Sequence, residues 1–119
     1  MWGTALLTEK SLSVNLLGGD VPHVGAVAVG IPRPSLARPA RQSATTSVFA
    51  LTGHKEDEMA RSMATELARR LGGTSVVVAG VHLDRARPAD IAVGMRNADR
   101  AVEELLACAM SDARQKRRG

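Results

Sequence analysis

The chain has 119 residues, the length of one domain, and its 45% hydrophobic residues suffice for a buried core. Trp2 and Phe49 are its whole aromatic content, so the core must be built from Val, Leu, Ala and Met, and binding of single-stranded nucleic acid by base stacking is disfavoured. The net charge of +4 equals the charge of Arg114, Lys116, Arg117 and Arg118, which leaves a neutral body and no general electrostatic case for nucleic acid as a partner.

Residues 4–7 and 11–17 read as short strands. In the second, Leu12, Val14 and Leu16 alternate with Ser11, Ser13 and Asn15, the period of a half-buried strand. Gly18-Gly19-Asp20 is a turn signal. The run 24–31 is rich in Val, Ala and Gly, and its small residues, Gly25 among them, suit close packing or close approach of a ligand. Residues 32–46 hold three prolines, three arginines and no acid, and read as a long loop, either a linker or a lid. A strand follows over 47–52.

Residues 56–71 are the clearest helix. Met59, Met63, Leu67 and Leu71 recur every four positions beside Ala60, Ala64 and Ala68, and Gly72-Gly73 terminates the pattern. The continuous apolar run 74–81 reads as a central strand covered on both faces. Pro88 opens a second helix, with Ile91, Met95, Ala98, Val102, Leu105 and Ala109 as its apolar stripe. The single Cys108 falls inside that helix, where a packing role is expected. It permits neither an internal disulfide nor a CxxC zinc site, in keeping with a reducing, cytoplasmic setting. No charged leader segment opens the chain, and no apolar run approaches the ~20 residues of a membrane span. The domain is expected to end near residue 113, with 114–119 as a basic, frayed tail.

The expected class is α+β: a single sheet, antiparallel or mixed, of about five to six strands, with both helices on one face. Each helix has only one apolar stripe, so the other sheet face needs a partner, and a second copy of the chain is the simplest one.

All three histidines stand at the edges of apolar runs: His23 opens one, while His54 and His82 follow the ends of two others. If the strand after His23 pairs antiparallel with 47–52, and 47–52 runs parallel to 74–81 across a helical crossover, the three share one rim. Thr52-Gly53-His54-Lys55 leads into a helix, whose free N–H groups and partial positive charge favour an anion, phosphate above all. Against this, Glu56, Asp57 and Glu58 place three carboxylates in the first turn and would repel an anion unless they point away. A metal reading competes, with His23, His54 and His82 joined by Asp20, Glu56 or Asp84, in a small metal-dependent enzyme. No activated nucleophile is evident.

Four segments together carry a family resemblance: Pro-His-Val-Gly-Ala-Val-Ala (22–28), Pro-Arg-Pro-Ser-Leu (32–36) with Ser-Ala-Thr-Thr-Ser-Val (43–48), Gly-His-Lys-Glu-Asp (53–57) and Val-Val-Val-Ala-Gly-Val-His-Leu-Asp (76–84). In this order and spacing they resemble the small prenylated-flavin chaperones that accompany UbiD-type decarboxylases, among them the small accessory protein linked to gallate decarboxylase. The family more typically carries Asp-Asp where this chain has Glu56-Asp57, and the tail from Arg114 has no counterpart. The resemblance implies a non-catalytic dimer with a fold like that of small proteasome-assembly chaperones. It also implies that the protein binds reduced prenylated FMN as cargo and loads it into an apo-decarboxylase. On this reading Gly53, His54 and Lys55 hold the phosphate, His23, Gly25 and His82 line the rim, Asp84 orients His82 or caps the second helix, and Arg33 closes from the long loop.

Overall fold

The computed structural model describes residues 2–51, 56–82 and 87–118; the side chains of His82 and of residues 112–118 lie outside that description. Seven elements follow in the order β1 (Trp2–Leu7), β2 (Ser11–Gly19), β3 (Ala26–Pro34), β4 (Gln42–Ala50), α1 (Glu56–Leu71), β5 (Thr74–His82) and α2 (Pro88–Arg118). The strands form one mixed sheet in the order β1-β2-β5-β3-β4. Only the β2–β5 pair is parallel, the other three being antiparallel. The α+β class, the mixed sheet of five strands and the two helices are therefore as expected.

Alternation decides which face of the sheet is covered. Leu12, Val14 and Leu16 of β2, Ala26 and Ala28 of β3, and Val77 and Ala79 of β5 point to one face and are buried. They join Met59, Ala60, Met63, Ala64 and Leu67 of α1 and Ala98, Val102 and Leu106 of α2 in a single core cluster. Both helices thus lie on the same side. Between α1 and β3 the contact is made by small residues. A Cβ on Gly30 would overlap the Ala64 carbonyl and come within 3.1 Å of the Ala68 Cβ. Helix and strand backbones approach this closely only because Gly30 has no side chain and Ala68 a minimal one.

Four expectations need correction. The long loop over 32–46 is mostly strand: β3 continues to Pro34 and β4 begins at Gln42, so the loop is 35–41. Pro32 and Pro34 are tolerated because the pairing of β3 with β5 ends at Gly30–Ser75, while that with β4 continues through Pro34–Gln42. Two residues apart, both prolines place their missing N–H on the side where no strand remains. β5 is central, but one face only is covered by this chain, since Val76 and Val78 remain half-buried on the other. The stripe of α2 runs through Leu106, with Leu105 only partly buried, and Ile91 is 47% exposed. Cys108 is exposed and lines a cleft between α2 and β1.

Caps and ion pairs finish the helices. Gly72 adopts φ +69° and its N–H donates to the Ala68 carbonyl at 2.9 Å, closing α1 as a left-handed cap. At the start of α2 the Asp90 carboxylate accepts the Arg87 backbone N–H at 2.9 Å, the reciprocal half of a capping box. That bond, with a second from the Arg87 guanidinium, holds the Asp90 carboxyl below its ordinary range. Arg70 of α1 grips Glu103 of α2 through both guanidinium NH2 groups and lowers that carboxyl as well. α2 remains helical to Arg118, so residues 114–118 continue the helix.

Two outcomes are expected. Gly30→Ala should destabilise the protein by about 1–3 kcal/mol in urea unfolding. Gly94→Ala, where a Cβ would meet nothing nearer than the Met59 Cε at 3.6 Å, should be neutral or stabilising by up to about 1 kcal/mol. Both lowered carboxyl groups favour the folded state above their unfolded pKa, near 4, and lose that contribution as pH falls through the folded values. Asp90→Asn and Glu103→Gln should therefore lower the melting temperature slightly at neutral pH, and the gap to the parent should close as the pH falls through the lowered folded values.

Candidate functional site

Three strands end on a single rim of the sheet, and β3 begins there. Gly19 at the end of β2 pairs with His82 at the end of β5, and Ala26 at the start of β3 lies between Ala50 and Ala79. β4 and β5 run the same way on either side of β3, as the convergence of the histidines requires. The ladder extends one step past β3: the Gly25 N–H donates to the Ala79 carbonyl and the Leu51 N–H to the Gly25 carbonyl, each at 2.9 Å.

His23 is fixed on this rim by its own segment and by two glycines. Its backbone passes directly over β5 at Gly80, where a Cβ would overlap the His23 carbonyl oxygen. Its ring Nδ1 donates to the Val21 carbonyl at 2.8 Å, which assigns the Nδ1 proton, since a carbonyl can only accept. Nε2 faces the Glu56 Oε1 at 3.9 Å, an electrostatic separation rather than a hydrogen bond. Glu56 is the first residue of α1 and is only 7% exposed. The carboxylate lies against Gly25, where a Cβ would stand 2.8 Å from Cδ and 2.9 Å from Oε2.

This geometry answers the question of the three acids. Glu58 is exposed and Asp57 half-buried, while Glu56 turns into the rim. The positive end of α1 stabilises that carboxylate. The described rim is therefore a mixed imidazole–carboxylate surface bordered by the exposed apolar residues Val21, Val24 and Leu51.

Of the expected site residues, His23 and Gly25 are on the rim, and the backbone of His82 ends β5 there. Gly53, His54, Lys55 and Asp84 lie outside the described residues. Arg33 is not brought to this rim. It pairs with Ser43 at the far end of β3 and donates to Thr45 Oγ1 at 2.6 Å and to the Pro34 carbonyl at 3.0 Å. Loop 35–41 is at that far end too, so within one chain it does not close over His23. Among the described residues no group of three or more His, Cys, Asp or Glu gathers as metal ligands; His54, Asp84 and the His82 side chain are not among them. Two clefts lie elsewhere: about 560 Å³ between the β1–β2 turn and the end of α1, and about 480 Å³ between β1 and α2.

The fold and rim define a small one-sheet α+β protein with a polar, apolar-bordered site at a strand–helix junction. The chain belongs to the prenylated flavin chaperones: the family model of the prenylated flavin chaperone LpdD-like domain matches residues 2–109. That span runs from β1 deep into α2 and includes the whole rim. No curated protein matches the sequence.

Gly80 tests the architecture of the rim. Gly80→Ala should displace residues 21–25, seen as amide shift changes concentrated there and at Leu51, and should cost about 1–3 kcal/mol of stability.

Proposed function

We propose that the protein is a non-catalytic carrier that binds reduced prenylated FMN at the His23–Glu56 rim and delivers it to a UbiD-type apo-decarboxylase in the cytoplasm. The observation that carries this reading is the buried Glu56 carboxylate beside His23 at the start of α1, in a chain of the prenylated flavin chaperone family. The partly exposed His23 imidazole, with Glu56 behind it, offers a partner to the ring system, and Val21, Val24 and Leu51 offer apolar contact to its rings. Gly53, His54 and Lys55, which immediately precede α1, are assigned the phosphate, because helix-start N–H groups and an ammonium suit a dianion. His82 is assigned to the same ligand and Asp84 to the orientation of His82.

The decisive measurement is activation of a UbiD-type apo-enzyme by reduced prenylated FMN under anaerobic conditions. Activation should be faster with the protein than without it, and equal rates over a range of cofactor concentrations would refute the delivery role. Lys55→Ala should weaken cofactor binding about tenfold to a hundredfold, the loss of one charge-assisted hydrogen bond, with the fold retained.

A homodimer belongs to the same proposal. The sheet face away from the helices carries Trp2, Leu6, Leu17, Val27, Val29, Ile31, Phe49, Val76 and Val78, with Phe49 78% and Leu6 68% exposed. Arg33 is the one charged residue that the strand register places on it among the described residues. Five strands about 4.8 Å apart, four of them about 30 Å long and β1 about 20 Å, give a face on the order of 700 Å², close to one side of a standard interface. A second copy would cover it with Arg33, at the far end of β3, as the one charge that the register places there. Light scattering should find a dimer at micromolar concentration, and Phe49→Glu with Ile31→Glu should shift it to monomer. A monomeric parent would refute this assignment.

A further inference from the structure

We propose that Glu56 is a positioning residue that acts on the cargo through His23, and that Gly25 exists to seat it. This inference rests on the reading of the rim as the flavin site.

The argument begins with the cost of the arrangement. A carboxylate that is more than nine-tenths buried is expensive to keep unless charge or hydrogen bonds compensate it. Asp57 and Glu58 already place negative charge in the first turn of α1. The helix therefore does not need a third acid turned inward to satisfy its dipole. Nor does the core need it, because Met59, Met63 and Leu67 supply the apolar packing of α1. Glu56 stands in a fixed relation to His23. Its Oε1 faces Nε2, while Nδ1 is held by the Val21 carbonyl.

The two contacts act on opposite sides of one ring. The Val21 carbonyl holds Nδ1 and the carboxylate stands on the Nε2 side, so the two together fix the plane of the ring and leave its face to the ligand. His23 is one-quarter exposed, enough for a ligand to reach it, whereas Glu56 is not. Glu56 therefore works behind the imidazole. Gly25 completes the device. Any side chain there would strike the Glu56 carboxyl group, and the Ala79 carbonyl at 3.2 Å closes the remaining space. The segment Pro22-His23-Val24-Gly25 thus carries both the ring and the cradle for its partner.

Two measurements on the full chain test this. The first needs no ligand: long-range 1H–15N correlation spectra of the imidazoles, with His23 assigned from a His23→Gln variant. Glu56→Gln preserves size and removes the charge, and it should move both His23 ring nitrogens while far-UV circular dichroism stays unchanged. Unmoved ring nitrogens would overturn the pairing. The second is anaerobic titration with reduced prenylated FMN. Glu56→Gln and His23→Gln should each weaken binding by about tenfold or more, Glu56→Asp should recover part of the loss, and the double variant should bind no more weakly than His23→Gln alone. Losses that multiply in the double variant would show that Glu56 acts independently of His23 and would overturn the proposal. A parent protein that binds no flavin would refute the functional reading instead, and the ring nitrogens would still decide whether Glu56 positions His23.

Discussion

The close seating of α1 on β3 is the constraint on which the rest of the molecule depends. Gly30 lies under the Ala64 carbonyl and against Ala68, and Gly25 lies under the Glu56 carboxylate. From Gly25 to Gly30 the strand advances about 16 Å, and from Glu56 to the 64–68 turn the helix advances about 12–18 Å. Helix and strand therefore run side by side in the same direction, held in register at both ends. A larger residue at either contact would lift the helix and separate its first turn from the rim. The site is thus a consequence of backbone proximity, which small residues permit and large ones would prevent.

That seating explains why functional groups collect at one end of the sheet. α1 returns the chain from the end of β4 to the start of β5, so its own start stays at the rim where β4 ends. β3 begins at the same rim because it is antiparallel to both neighbours. Backbone pairing one step beyond β3, through Gly25 and Leu51, stiffens the approach. The approach to β3 is therefore ordered enough to hold an imidazole against a carboxylate.

The other face of the sheet follows from the same economy. Two helices, each with one apolar stripe, cover one face, and the valines of β3 and β5 leave the opposite face apolar and open. Strands with period-2 alternation satisfy the core on one side and leave a largely apolar surface on the other. The family membership gives that surface a context, since a chaperone must meet another protein to act.

Much of this was legible in the sequence because it is local. The four-residue recurrence from Met59 to Leu71, the alternation in β2, the Gly72 cap and the Pro88 start each declare an element through side-chain period or backbone chemistry. The family motifs are local in the same sense, each short and in a set order. Three features were decided only by tertiary structure. Strand order was one: β5, nearly last in the chain, enters between β2 and β3, and pairing over such distances leaves no local signature. The reach of β3 through Pro32 and Pro34 was another, because prolines are excluded from a strand only where a neighbour needs their N–H, and β5 has ended by then. The direction of Glu56 was the third. A carboxylate in a first helical turn ordinarily serves the helix dipole from the solvent side, and only the absence of a side chain at Gly25, thirty-one residues earlier, makes room for it to turn inward to His23.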